Sequence, residues 1–557
     1  MTKTDLSNLY PPKELWPEFV FPLDQISIPE ELNLAEELLE KHVREGRGSD
    51  IAVYYQNQRI TFNTLNETVN RIGNSLLSLG VKPQDRIGVK LVNQPEALIL
   101  NFAIQKIGAI PVMFSPLWPR KEDIHIIKSA IIRIFFVSQS LFEDIVQDSE
   151  FKRHVEHIIV VEEGHEQYKE KNVHSYLRMA EKEGKDLKPV KVRRDSTGLI
   201  LFTSGTTGLP KGCLHSAGGI LAQGFLANKY VFKLEEGDIL TGSSPIAFTG
   251  GYCMFMVAPF CGRGAVSLIR KFQPDEVLRT VQEHKATILT GVPAAYRRLL
   301  QYEDFDKYDL SSLRLCTCGA DAIKETGPQW KAKTGLDIWE GLAATELGFL
   351  VAHTRMGNQP KTGSCGAALP GWTIKCVDDQ GRALPPGEVG HLIVRGPTGC
   401  LYLIDPNDET RMLNLQKKMV RNGWNYTGDM AHLDDEGFIF IASREDDMIK
   451  SGGFRIYPGE IEEVLSKHPN VREACVFGVP DPTRGQNVVA CIELKDGARV
   501  PLEFEKELIA LCQDHLAVYK TPRSFRYVEE LPRTDTGKVM RSKVRDIWSD
   551  KKKSNQK

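Results

Sequence analysis

"LFTSGTTGLPKG", Leu201 to Gly212, is the stretch on which the reading of this chain turns. Gly205 and Gly208 let a backbone approach an anion closely, and the hydroxyls of Thr203, Ser204, Thr206 and Thr207 can donate hydrogen bonds to it. Lys211 adds a positive charge. A Walker loop, G-x-x-x-x-G-K-[ST], sets glycine directly before the lysine and a hydroxyl directly after it. Here Pro210 precedes Lys211 and Gly212 follows, so the stretch holds phosphate in some other manner. The plain alternative, a glycine-rich turn from strand to helix, needs fewer hydroxyls than these.

Around that loop the bulk composition is ordinary. A chain of 557 residues exceeds the roughly 250 to 300 at which one core stops growing, so several domains are expected. With 41% hydrophobic and 26% charged residues it reads as a globular protein. Lysine plus arginine (71) nearly cancels aspartate plus glutamate (73), which argues against nucleic-acid or anionic-membrane partners. The basic tail "DKKKSNQK" reads as a frayed, solvated end. Eleven cysteines, with no C-x-x-C pair, point to reduced thiols, and Cys316 and Cys318 to core positions on a strand. The start resembles no signal peptide and no run of about 18 apolar residues occurs, so a soluble cytoplasmic protein is expected.

Periodicity then supplies the elements. "NLAEELLEKHVREG" predicts a helix with Asn33 as its cap and Gly46 as its stop. Leu65, Val69, Ile72 and Leu76 form a helical stripe, "RIGVKLV" a strand, "PEALILNFAIQKIGA" a helix opened by Pro95, and "IPVMF" another strand. The alternation resumes with "GLILFTSG", "ATILTGVPAAYRRLL" and "LRLCTCGAD", and predicts a mostly parallel sheet covered by helices. After about Thr362 short strands and Gly/Pro turns take over, with "DDQG" as a hairpin turn, which marks a β-rich subdomain over 363–440. "PGEIEEVLSKHP", "VREACVFGVP" and "FEKELIALCQDHL" then read as helix, strand and helix of a small α+β domain. The fold class is α/β: a large domain over 1–443, of helix-covered mixed sheets plus the β-rich part, and a small mobile domain over 444–557.

Five separated segments carry a resemblance. "TSGTTGLPKG" (203–212), "ATE" (344–346), "YTGD" (426–429), "SREDDMIKSGGFRIYPGEIEE" (443–463) and "PRTDTGKVMR" (532–541) stand in the order found in adenylate-forming enzymes, the acyl-CoA synthetases and their relatives. "PPKELWPEF", "PIAFTGG", "EGLAATE" and "GPTGCLYLIDP" further resemble 2-aminobenzoate-CoA and benzoate-CoA ligases. The chemistry implied is activation of a carboxylate by ATP. Replacing an oxide leaving group by AMP lets a thiol displace it, and attack on the α-phosphate brings two anions together. The site must therefore neutralise charge and fix the line of approach.

The resemblance assigns roles residue by residue. The loop Thr203, Ser204, Gly205, Thr206, Thr207, Gly208 and Lys211 would cover the β- and γ-phosphates; Glu346 would hold Mg2+ and Thr345 would touch phosphate and acyl carboxylate. Gly319, Ala320 and Asp321 with Glu340, Gly341 and Leu342 would wall the adenine. At that wall Leu342 and Ala343 stand where many members have Tyr-Gly, so an aliphatic surface replaces the aromatic stack. Asp429 would bind both ribose hydroxyls, and Arg444 would reach the same ribose from the other domain. Lys538 would stabilise the charge that builds in adenylation, and Asp446 would be the hinge. Lys450, Ser451, Gly452 and Gly453 would line the CoA channel. Phe248, Thr249, Gly250, Gly251, Leu347 and Phe349, with Gly341, would line the acid pocket, where flat walls and no cation suit an aromatic or cyclic monocarboxylate.

ATP, Mg2+ and coenzyme A are the implied cofactors, in a monomer or homodimer. Other readings stay open: an adenylation enzyme loading a carrier-protein thiol, a medium-chain or branched fatty acyl-CoA synthetase, a luciferase-like oxygenase, and a nucleotide sensor without catalysis.

Overall fold

The structure, a computed structural model, describes residues 6–554 apart from 23, 25, 147, 163–171, 182–183, 204–208, 243, 320–322, 324–325, 358, 496–502 and 534–538. The chain forms two compact units, Met1–Ile374 with Val394–Asn425, and Lys375–Ile393 with Tyr426–Lys557.

Two helix-covered sheets build the first unit. One has seven strands in the order Lys211–Ser216, Thr197–Thr203, Ile110–Met113, Arg86–Lys90, Ile134–Ser138, His157–Val161 and Val173–Ser175. All its neighbours run parallel except Thr197–Thr203 with Lys211–Ser216. The other has nine strands, and Ile51–Tyr55, Ala265–Leu268, Ile239–Gly242, Ile288–Gly291, Leu315–Cys318 and Ile338–Ala344 form its parallel centre. Strands covered on both faces are largely apolar, and every position of Arg86–Lys90, Ile110–Met113 and Leu315–Cys318 is buried, including Arg86 and Lys90, which are satisfied by Ala130 O and Asp123.

The helices obey the expected punctuation. Asn33 Oδ1 accepts from the Glu36 N–H at 3.2 Å, and Gly46 ends that helix in the left-handed region at φ 84°. The helix Phe62–Ser78 is capped by Thr61 and buries the stripe Leu65, Val69, Ile72 and Leu76. Pro95 opens the helix Pro95–Lys106, where its missing N–H is no loss.

In the second unit, "DDQG" turns as expected: Asp378 Oδ1 accepts from the N–H groups of Gln380 and Arg382, both at 2.9 Å, and Gly381 takes φ 80°. The strands Thr373–Val377, Gly390–Arg395, Trp424–Leu433 and Ile439–Arg444 make the β-rich part. The C-terminal sheet pairs the long strands Val471–Asp481 and Gly485–Leu494, and strand alternation serves two cores. Val476, Val488, Ala490 and Ile492 pack with the helices Pro458–Ser466 and Phe504–His515. Cys475, Phe477, Val489 and Cys491 pack with Val544 and Trp548 of the last helix. That helix, Arg541–Ser554, is anchored by the buried Val544 and Trp548, and the end of the basic tail, 555–557, lies outside the described residues. Among the described residues no helix is long and apolar enough to cross a membrane, and the eleven cysteines stand outside any disulfide.

Candidate active site

Thr197–Thr203 and Lys211–Ser216 are adjacent antiparallel strands with Thr203 directly opposite Lys211. The glycine-rich loop therefore closes a hairpin and is not a strand-to-helix turn. Ser204, Gly205, Thr206, Thr207 and Gly208 lie outside the described residues. Its far end is tied down by His125, whose Nε2 donates to the Pro210 carbonyl at 3.0 Å.

Three groups converge where the second strand begins. The segment Leu401–Leu403 lies antiparallel along it, with Leu214 N to Leu401 O and Leu403 N to Gly212 O both 2.8 Å, so that Tyr402 faces Cys213. Side chains two residues apart share a strand face, which brings Tyr402 beside Lys211. The Tyr402 hydroxyl donates to Glu346 Oε1 at 2.9 Å. Lys211 Nζ donates to that hydroxyl at 3.3 Å, sits 5.2 Å from its ring centre and stands 3.9 Å from Glu346 Oε1. Burial pushes the Tyr402 phenol well above its ordinary range, with Cys400 and Glu346 adding to the rise, so it is a neutral donor. Sequence reading missed Tyr402. Its signal was a lone aromatic hydroxyl in the apolar run "CLYLI".

Glu346 belongs to the short turn Thr345–Leu347 that follows the strand Ile338–Ala344. Gly348 takes φ 83° behind it, a conformation a side chain would strain. Gln223, also missed, clamps both sides of that glycine: its amide donates to Leu347 O at 2.9 Å and its oxygen accepts from Phe349 N at 2.7 Å.

At the expected adenine wall, Ala320 and Asp321 lie outside the described residues. A side chain on Gly319 would come 3.8 Å from Gly341 O, which brings these two glycines together. Glu340 is buried and its Oε1 accepts from Ile323 N at 2.8 Å, so it holds Ile323. Leu342 is half-buried on the same strand.

In the second unit, Asp429 and Arg444 are cross-strand neighbours joined at 2.8 Å, and Arg444 also donates to Thr427 O at 3.2 Å. Asp446 is exposed in the turn Glu445–Asp447. Lys450 and the buried Ser451 lead into Gly452 and Gly453, at φ 58° and 86°, where an added side chain would meet nothing within 4 Å. Lys538 lies outside the described residues, but Arg541 near it is tied to Asp447 at 3.1 Å and to Glu462. Burial opposes the charge of Arg541, and these carboxylates more than offset it.

Of the acid-pocket residues, Phe248 meets Trp118 edge-on at 5.8 Å and Phe349 stacks on Phe232 at 6.3 Å. The short helix Thr249–Tyr252 packs against the strands Ile338–Ala344 and Gly348–His353. Gly250 faces open space, whereas a side chain on Gly251 would run into the Pro245 carbonyl. The Thr249 hydroxyl is buried without a hydrogen-bond partner among the described residues.

The donor set suits Mg2+. That ion takes one or two carboxylates and completes its shell with substrate phosphates and water. Glu346 offers such a carboxylate, and among the described residues no cluster of three ligating side chains offers a closed cage.

A hydroxyl-rich hairpin sequence whose Lys211 meets Glu346, on a two-unit α/β chain, is the arrangement to be compared with known proteins. The chain belongs to the AMP-binding enzyme family: the family model matches residues 39–401, and that of the AMP-binding enzyme C-terminal domain matches 460–538. It is 28% identical over 545 residues to the long-chain-fatty-acid–CoA ligase of Bacillus subtilis (strain 168), covering 93% of this chain and 96% of that one. It is 28% identical over 524 residues to the benzoate–CoA ligase of Thauera aromatica, covering 93% and 97%. The crystal structure of the anthranilate CoA ligase AuaEII in complex with anthranoyl-AMP superposes with a TM-score of 0.84 at 30% identity, over 93% and 98% of the two chains. The protein is thus an adenylate-forming acyl-CoA ligase, of a family that works with ATP, Mg2+ and coenzyme A.

Proposed function

We propose that this protein ligates an aromatic or cyclic monocarboxylic acid, of benzoate or 2-aminobenzoate size, to coenzyme A. The acid oxygen bonds to the α-phosphorus of ATP as the bond to pyrophosphate breaks; the sulfur of CoA then bonds to the acyl carbon as AMP leaves. The observation that carries this reading is the pairing of Lys211 and Glu346, opposite charges 3.9 Å apart at the end of the hydroxyl-rich hairpin. Such a pair suits a metal-bound polyphosphate: the ammonium takes phosphate oxygens and the carboxylate takes the ion, which when bound spreads the phosphate charge.

The remaining roles are those the motifs imply. Thr203 to Gly208 and Lys211 escort pyrophosphate, Thr345 orients the reacting groups, and Asp429 and Arg444 hold the ribose. Gly319 to Asp321 and Glu340 to Leu342 enclose the adenine. Lys538 reaches the reacting oxygens when the small domain covers the site. A swing about Asp446 then exchanges it for Lys450 to Gly453, which admit the thiol. For the acid, the aromatic pairs of Phe248 and Phe349 support a flat ring, and the Thr249 hydroxyl, without a partner among the described residues, suits a ring substituent that hydrogen-bonds.

Acid-dependent pyrophosphate exchange, measured over benzoate, aminobenzoates, hydroxybenzoates, cyclohexane acids and short fatty acids with and without CoA, tests the proposal. Aromatic or cyclic acids should lead and CoA should yield the thioester. Preference for open-chain acids would overturn the substrate class, and acyl-AMP without thioester would transfer the reading to a carrier-protein thiol. Lys538→Ala should cut acyl-AMP formation about 100- to 1000-fold and spare thioester formation from supplied acyl-AMP; equal loss of both halves refutes its role.

A further inference from the structure

Lys211 and Glu346 pair only loosely, with 3.9 Å between Nζ and Oε1, and the Tyr402 hydroxyl stands to one side within reach of both, 3.3 Å from the ammonium and 2.9 Å from the carboxylate. Tyr402 is fully buried, and its position leaves little freedom. Its backbone N–H donates to Gln416 Oε1 at 2.9 Å, and the fully buried Gln416 donates in turn to Cys400 O and Leu15 O, both at 2.9 Å. Cys213, Cys400, Ile404 and Met412 pack around it. The hydroxyl is therefore held from behind, and its one proton goes to Glu346 while its lone pairs receive Lys211.

We propose that Tyr402 is a positioning residue that keeps Lys211 and Glu346 from neutralising one another, so that the ammonium stays available to nucleotide phosphates and the carboxylate to their metal ion. The inference rests on the adenylation reading above and adds to it a residue outside the five motifs. A carboxylate that collapsed onto Lys211 would surrender the oxygen that faces the metal. The ammonium would likewise lose the freedom its three donors give it. A neutral hydroxyl satisfies one bond of each partner at no cost in charge. Removing it lets the two close the remaining gap, and ATP with its ion must then break an ion pair before binding.

The test is Tyr402→Phe, which deletes one oxygen and keeps the ring. Calorimetric titration with ATP and Mg2+, without acid, should show affinity weakened about 10- to 100-fold, the scale of a hydrogen bond to a charged group. The KM for acid should stay within about twofold and the melting midpoint should barely move. A second variant, Glu346→Gln, removes the charge that traps Lys211. Its effect combined with Tyr402→Phe should fall well short of the product of the two single effects. Unchanged nucleotide affinity in Tyr402→Phe, or a loss matched by falling melting temperature and rising acid KM, overturns the inference. Wild-type protein that binds no nucleotide in the presence of Mg2+ overturns the adenylation reading itself and this inference with it, so the two failures are told apart.

Discussion

Replacing Gln223 by leucine should loosen the turn that carries Glu346, by an amount that the structure allows to be worked out. Gln223 is buried and bridges the chain on both sides of Gly348. The pairing of Ile338–Ala344 with Gly348–His353 slips in register between Ala343 and Ala344, so Phe349 has no residue opposite it and its N–H turns to Gln223 Oε1 instead. In Gln223→Leu that buried N–H is left without a partner, at about 1 to 3 kcal/mol. Leu347 O keeps the hydroxyl of Thr398 but loses the amide, for roughly 1 kcal/mol more. The sum is about 2 to 4 kcal/mol, and local opening becomes about 30- to 1000-fold more frequent. Hydrogen–deuterium exchange of the peptide spanning 341–353 reads this directly, without requiring the whole chain to unfold in one step. Faster exchange confined to that segment, with a lower rate of pyrophosphate exchange, is the expected result. Exchange within about threefold of wild type would show that the amide does not hold the turn.

Asp446→Pro should stiffen the turn Glu445–Asp447 by fixing φ, leaving pyrophosphate exchange intact and slowing thioester formation; loss of adenylation instead would place the pivot elsewhere. Asp429→Asn keeps the shape but removes the charge that meets Arg444 at 2.8 Å, and should raise the KM for ATP about 10-fold with the acid KM unchanged. Burial depresses the imidazoles of His215 and His353, to about 4 and about 3, while the unfolded chain protonates near 6.5. Their contribution is therefore complete above about pH 6.5 and is lost as pH falls toward 4, by as much as about 3 kcal/mol each. His353→Gln should flatten the fall of the urea midpoint between pH 7.5 and 5, and an unaltered slope would exclude that imidazole as its source.

The sequence by itself determined the elements and their class. The strand-like runs "RIGVK" and "IPVMF" became covered parallel strands, the stripe Leu65, Val69, Ile72 and Leu76 became the buried face of a helix, and Asn33 and Gly46 bounded theirs. These follow from the local geometry of the backbone, in which period, cap and turn lie within a few residues of one another. The same locality left unread that the hydroxyl-rich loop links two paired strands. Tertiary structure alone decided which side chains meet. Tyr402 reaches Lys211 across 191 positions and Gln223 reaches Leu347 across 124, because a strand segment lies along Lys211–Ser216 in one register and a helix backs one turn. A shift of that register by one residue would turn the phenol to the opposite face, and no nearby residue records which register the fold adopts.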